Sequence, residues 1–272
     1  TYSPDERFID VNSMKLFAYF FSAGDNLPQA VEYPLQFDSV TTNAKASFMI
    51  PDTTVFVLLK VDGEDTYFDI YDENKMQFWD IIIYGDDGNP VKFAMLKAGI
   101  SYLGSYPDNF NRRVDYDKSI KLLQKETQFY PDNIQAQIGL TSLMFDMKKL
   151  TRDDFRETLE KMVEKEFNKD NENTLRAVSR ALRALNKTSE AEQLEREYAR
   201  NHPKSDLAEE FLMAELAEAS SMPEFMRISE EYIEKFPASA NREKIYSAIV
   251  SSFLQVNKYK ELRDFLSKFE NV

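Results

Sequence analysis

An aromatic residue or histidine followed by Pro or a polar residue recurs along this chain at Tyr130-Pro131, Phe167-Asn168, His202-Pro203, Phe236-Pro237 and Phe269-Glu270. The steps between these marks are 37, 35, 34 and 33 residues. A recurrence of this length is the signature of a helical-repeat array. In such an array no unit buries its own apolar face, so each hairpin needs a neighbour and the core is built by stacking. The period therefore predicts an α-helical solenoid over residues 92–272, which is a surface for holding something.

Residues 1–91 read differently. Met14–Phe21 is a short aromatic-rich run, and 30–40 alternates in part with Pro34 marking an edge strand or bulge. In 43–50, Ala44, Ala46, Phe48 and Ile50 share one face. Val55–Val61 is β-branched and apolar, and Asp62-Gly63 signals a turn after it. Thr66–Tyr71 and Met76–Tyr84 read as two further strands, the second the strongest in the chain. Short strands at turn-punctuated spacing predict an antiparallel immunoglobulin-like β-sandwich, with Trp79 in its core. Gly85 to Pro90 reads as a tight turn. Asp86 and Asp87, with Asp62, Glu64 and Asp65, do not have the spacing of an EF-hand calcium loop, so no metal site is assigned.

From Val91 the apolar period lengthens to that of a helix, with Phe93, Leu96, Ile100 and Leu103 on one face. The expected hairpins are 92–105 with 115–130, 132–146 with 151–166, 171–185 with 188–201, 204–219 with 222–235, and 239–255 with 257–269. Residues Asp132 to Phe145 resemble the first helix of a tetratricopeptide repeat (TPR), with Ala136 and Leu140 at packing positions and Met144 at the usual Tyr. Tyr116 to Pro131 and Thr188 to Pro203 resemble the second helix, with Ser119 and Ala191 at the small position and Pro at the end. Gln137, Thr141, Asn168 and Phe225 depart from the pattern, so the repeats are degenerate. The fold expected is thus multidomain β + α: an immunoglobulin-like β-sandwich over 1–91, then a TPR-like solenoid of about five hairpins over 92–272. Nothing between Tyr84 and Phe93 is long or Gly/Ser-rich enough to be a flexible linker, so the two are expected to pack directly.

Composition excludes several chemistries. With no Cys in 272 residues, thiolate catalysis, disulfides and Cys-ligated zinc are impossible in this chain. The formal charge of −13 opposes nucleic-acid binding, which needs a basic footprint. No apolar run reaches the roughly 18–20 residues of a membrane span, so no membrane insertion is expected. No motif for a catalytic Ser, a zinc protease or a phosphate loop is present, so no catalytic residue and no cofactor is assigned. The one histidine, His202, replaces the repeat aromatic at a helix end and reads as a packing residue.

In this acidic chain Arg176, Arg180 and Arg183 recur at i, i+4 and i+7. Under the TPR register counted back from Pro203, they fall at positions that the resemblance places on the concave groove, as do Ile138 and Phe145. Arginine forks suit carboxylates or a peptide C-terminus. The plainer alternative is pairing with acidic neighbours such as Glu160, Glu164 and Glu190. The function expected is a non-enzymatic scaffold that binds a protein or peptide in that groove. A second reading comes from the order of sandwich, Trp79–Tyr84 strand, Asp87-Gly88-Asn89-Pro90 turn and helix. It resembles the N-terminal part of exported bacterial thioredoxin-like proteins. That resemblance implies an exported, periplasmic or cell-surface location, against a cytoplasmic alternative, and a redox domain beyond Val272. A start at Thr1 and a repeat boundary at Phe269-Glu270 fit a chain trimmed at both ends. A third reading is a carbohydrate- or polymer-binding surface protein that uses aromatics on the sandwich.

Overall fold

A computed structural model of the protein describes residues 2–4, 8, 13–24, 28–38, 43–64, 69–72, 74–104, 112–165, 167–239, 241–255 and 257–267. Compactness divides the chain into two units, Thr1–Asn186 and Lys187–Val272. The expected boundary at 91 falls between the last strand, which ends at Ile82, and the first helix, which starts at Ala94. The sheet and the first five helices nevertheless share one compact unit.

In the first unit, strands β1 (Ser13–Ser22) and β5 (Thr54–Glu64) run antiparallel through the middle of a five-stranded sheet. β1 alternates as half-buried strands do, with Met14, Leu16, Ala18 and Phe20 on one face. β2 (Gln29–Pro34) forms one edge beside β1. β6 (Asp69–Asp72) and β7 (Trp79–Ile82) lie end to end along the other side of β5. Two short strands, β3 (Gln36–Asp38) and β4 (Asn43–Lys45), form a separate hairpin to which Tyr2 is bridged at Ala44. Phe8 and Ala44 pack with Met14, Leu16 and Val61 of the sheet. What the described residues show is therefore a five-stranded antiparallel sheet with a partial second layer, and the immunoglobulin-like sandwich is shown no further than that.

Two local readings are corrected. Asp62-Gly63 is not a turn: β5 continues through it, because Lys15 and Met14 pair with it on one side and Tyr71 and Ile70 on the other. Met76–Phe78 is not strand. Asn74, Lys75, Met76 and Phe78 all have positive φ, so the chain curls there and drops the Phe78 ring into the core. The Gly85–Pro90 turn forms as expected, closed by the Gly85 N–H donating to the Asn89 carbonyl at 2.8 Å. Both Asp87 oxygens accept from Asn89.

Five helices follow: α1 (Ala94–Ser101), α2 (Tyr116–Phe129), α3 (Ile134–Asp146), α4 (Arg152–Val163) and α5 (Glu172–Ala184). α1 is buried almost all round, because it lies between the sheet and α2. Its Ala94 and Ala98 pack with Phe21, Phe56, Leu58 and Phe78. Each fully buried Phe or Leu of this kind is worth about 1.5–3 kcal/mol. Gly99 sets how closely α1 meets α2, since a Cβ there would sit 3.2 Å from Leu123 Cγ. α3 packs on α2, α4 and α5, as a first helix of a repeat does in a stacked array. Helices α2 to α5 start where the sequence supplies a cap: Asp115, Asn133, Thr151 and Asn171 each accept an N–H three residues on. α4 ends at Val163, earlier than expected, and leaves Phe167 outside the helix.

The second unit holds α6 (Thr188–Asn201), α7 (Asp206–Glu218), α8 (Met222–Lys235), α9 (Arg242–Gln255) and α10 (Tyr259–Leu266). The pair expected as 171–185 with 188–201 thus falls across the division. Ser205 and Ser221 cap α7 and α8. His202 ends α6 and stacks on Tyr198, 4.2 Å between ring centroids, while Phe236 ends α8 against Tyr232. The Phe269-Glu270 mark lies outside the described residues.

The core of this unit centres on Tyr232, Ile233, Ile245 and Ile249. Glu209 accepts there from Tyr232 Oη at 2.5 Å, Ser239 Oγ at 2.6 Å and Asn241 Nδ2 at 3.2 Å. Burial alone would raise the Glu209 pKa, but the three hydrogen bonds together outweigh it and hold the carboxyl below its ordinary value. A carboxyl with a depressed folded pKa adds stability above its unfolded pKa and loses it as pH falls through the folded one. Thermal melts are expected to fall progressively below about pH 4.5, the ordinary glutamate value. Glu209→Gln should flatten that part of the profile; a slope unchanged by the substitution would refute the assignment.

Candidate functional site

The α5 helix begins at the Asn171 cap, and its apolar residues Leu175, Val178 and Leu182 turn inward. That register places Asn173, Arg176, Arg180 and Arg183 along another face of the same helix. Asn173 is buried because its Nδ2 donates to the Gly24 carbonyl, beyond β1, at 2.8 Å. The turn after β1 therefore abuts this face at its N-terminal end.

The three arginines are not equivalent. Arg176 is half-buried and pairs with Glu172 one turn back, at 2.7 Å from Nη2 and 2.8 Å from Nε. This is the plain ion-pair reading, with Glu172 as an acidic partner. Arg183 is exposed and donates from Nη1 to Ser179 Oγ at 3.0 Å. Arg180 has no hydrogen bond or ion pair to any described residue. Surrounding protein first, and the positive charge of Arg176 second, draw its pKa below the usual guanidinium range. A guanidinium crowded by a like charge, in a chain of formal charge −13, sits in a local field that favours an anion.

The other two expected groove residues do not belong to this surface. Ile138 is 5% exposed and packed in the interior. Phe145 stacks on Phe155 of α4, 4.3 Å between centroids with planes 17° apart, so its ring closes the α3–α4 hairpin. The register put both on the groove, but a half-turn of apolar surface on a central helix is claimed first by its neighbours. What α3 leaves open is smaller: a Cβ at Gly139 would meet nothing within 4 Å. The signal for Gly139 was in the sequence: a glycine in a helix interior costs about 1 kcal/mol relative to Ala.

Among the described residues no group of three or more His, Asp or Glu could hold a metal ion, and no helix is long and apolar enough to cross a membrane. Trp79 is half-buried and meets Tyr2 edge to face, 5.7 Å between centroids.

No family model matches the chain, and no curated protein matches it. Among solved structures, the crystal structure of MamA protein matches over 57% of this chain and 80% of its own, with 15% identity and a TM-score of 0.31. The human IFIT1 dimer with m7Gppp-AAAA matches over 66% of this chain and 40% of its own, with 12% identity and a TM-score of 0.34. The human IFIT1 dimer with PPP-AAAA gives 12% identity and a TM-score of 0.32. At these TM-scores none of the three likenesses bears on the site or on what it holds.

Proposed function

We propose that this chain is a non-enzymatic scaffold of the TPR-like kind, and that the face carried by α3 and α5 takes a carboxylate-bearing segment of a protein or peptide partner. The observation that carries this reading is Arg180, a guanidinium with no acidic partner among the described residues, beside the paired Arg176. In a chain with 47 acidic residues, an arginine left out of the internal ion pairs is poised for an external one. Gly139 leaves room above α3 for a peptide backbone. The turn held by Asn173 gives the face a stop at one end. The two-layer N-terminal region, in its finer reading an immunoglobulin-like sandwich, supports this face through that turn.

The test is a fluorescence-anisotropy titration with acidic peptides ending in a free carboxylate, and with the same peptides amidated. The free-carboxylate forms are expected to bind more tightly. Arg180→Glu should weaken them by about 10²-fold or more, since a broken charge-assisted contact and a new repulsion act together. Arg183→Ala should cost less. Equal binding by wild type and Arg180→Glu would remove the α5 face from consideration.

A further inference from the structure

Beyond β4 the chain runs on from Ala46 to Ile50 without a turn, a bend or a positive φ. Its burial alternates as in a strand: Ala44, Ala46 and Phe48 face the five-stranded sheet, and Lys45, Ser47 and Met49 face solvent. Phe48 fastens this strap to the sheet. It stacks on Tyr33 of β2 at 5.1 Å between centroids and meets Phe20 of β1 edge to face at 5.9 Å. The backbone, by contrast, is untied: no N–H or carbonyl of 46–50 makes a backbone hydrogen bond among the described residues.

Ala44 fixes the direction of these free groups. Its N–H donates to the Tyr2 carbonyl at 2.8 Å, and its carbonyl accepts from the Tyr2 N–H at 2.7 Å. Backbone groups of an extended chain turn to alternate sides, residue by residue, so Ala46 and Phe48 aim theirs to the side where Tyr2 lies. β3 takes the other side, and its pairing stops at Gln36 with Lys45. Exposed sheet edges are usually blunted by charge, proline or a bulge. From 46 to 50 the sequence is Ala-Ser-Phe-Met-Ile, with no charge and no proline, and Met49 is 88% exposed.

A partly enclosed cavity of about 420 Å³ lies beside this row. Ala46 and Phe48 line it, with Leu16 and Leu59 of the sheet and Trp79. Polar groups at its rim are engaged within the protein, Tyr2 with Asp72 and Ser3 with Asn43, both at 2.6 Å, so what it offers is apolar. A row of alternating donors and acceptors beside an apolar hollow is matched by another extended backbone. In a bonded antiparallel pair the two side chains stand on the same face, so a residue opposite Ala46 points inward, where the small methyl leaves it room.

We propose that 46–50 takes up an extended segment of a partner protein as an added antiparallel strand, in line with the Tyr2 bridge. A Phe or Leu side chain of that segment sits opposite Ala46 and fills the cavity. The segment alternates apolar inward residues with polar outward ones, and beside a chain of formal charge −13 the outward ones are basic or neutral. This site is independent of the α5 face and relies on main-chain bonds instead of a carboxylate.

Trp79 is the only tryptophan in the chain and lines the cavity, so its emission reports occupancy. The probe is the peptide acetyl-KVTFTVK-amide, whose Val and Phe side chains share one face, titrated into the whole chain. A saturable change in emission is expected. In the proposed pairing the phenylalanine N–H points at the protein and the threonine N–H groups point away. N-methylation of the phenylalanine should therefore weaken binding about tenfold or more, through a lost hydrogen bond and a clash, and N-methylation of a threonine should leave it nearly unchanged. Ala46→Pro removes an N–H with no backbone partner among the described residues, so it should unfold like wild type yet bind the peptide about tenfold more weakly. Equal binding of the two N-methyl isomers, or no saturable change with the parent peptide, would overturn the proposal. Self-association that Ala46→Pro abolishes, without peptide binding, would make a second copy the occupant and overturn it as well. If Ala46→Pro lowers stability, the N-methyl pair still decides the matter.

Discussion

Replacing Glu126 with Ala is expected to destabilise the first unit by about 3–5 kcal/mol, the scale of an interrupted buried charge contact. Glu126 lies on α2 and is fully buried. Its two oxygens accept from the N–H groups of Phe93 at 2.7 Å, Met95 at 3.2 Å and Leu96 at 3.3 Å, and from Asn133 Nδ2 at 2.8 Å. Three of these donors are unsatisfied N–H groups at the start of α1, where the helix dipole also favours negative charge. The residue at the α1 cap position, Phe93, has φ of 75° and no side-chain acceptor, so the helix has no local cap. Truncation would strand all four donors away from water, at about 1–3 kcal/mol for each buried group before relaxation. Glu126→Gln keeps one acceptor but turns an amide N–H₂ toward backbone donors, and should cost about half as much. Urea unfolding decides this: a loss under about 1 kcal/mol for Glu126→Ala would mean that water or a neighbour replaces the carboxylate.

That cap shows where the sequence was legible and where it was not. Helix starts were readable because Asp115, Asn133, Thr151, Asn171, Ser205 and Ser221 act on a backbone N–H only three residues away. The ends at Tyr130, His202 and Phe236 were readable because Pro follows each. α1 has no such residue, and the carboxylate that serves it lies 33 residues from Phe93. The missing cap was a usable sign: apolar Phe93 at a helix start implies a remote acceptor. In the sheet, Asp62-Gly63 has the composition of a turn, yet two neighbouring strands hold it extended. Met76 to Phe78 has strand composition, yet burial of the Phe78 ring against α1 decides its backbone. Both cases are tertiary contacts overriding local preference.

For the candidate site the sequence supplied charge but not competition. The i, i+4, i+7 spacing put the three arginines on one face. The partners of two of them were legible as well, since Glu172 and Ser179 precede Arg176 and Arg183 by four residues on the same helix, which is pairing distance. Ile138 and Phe145 were assigned by register alone. A central helix of a stack has neighbours on most sides, so its apolar residues are buried and its smallest, here Gly139, is what is left open.

The second large effect is expected where the sheet is tied to the helices. Arg112, 4% exposed, donates from Nη2 to Asp80 Oδ2 of β7 at 2.6 Å and from Nη1 to Ser101 Oγ of α1. The Tyr102 hydroxyl donates to the same Asp80 oxygen at 2.8 Å, and both Arg112 and Lys118 of α2 donate to the Tyr102 oxygen. Burial foremost keeps this phenol protonated far above the usual tyrosine range, despite the opposing charge of Arg112. The two charged partners differ in solvent access: the Arg112 side chain is 1% exposed and that of Asp80 is 32%. Removing the cation lets Asp80 rehydrate, so Arg112→Met should cost about 2–3 kcal/mol, below the range for a fully buried pair. Removing the acid leaves a guanidinium with no solvent to turn to, so Asp80→Ala should cost more, about 3–5 kcal/mol. The double variant should resemble Arg112→Met alone, because the stranded charge is gone. Trp79 fluorescence follows the sheet and far-UV circular dichroism follows the helices, so one urea titration reads both. The two transitions are expected to coincide in wild type and to separate in Asp80→Ala. An Asp80→Ala variant less damaging than Arg112→Met would show that the buried guanidinium is held by Ser101 and Tyr102 instead, and that the ion pair does not tie the sheet to the helices.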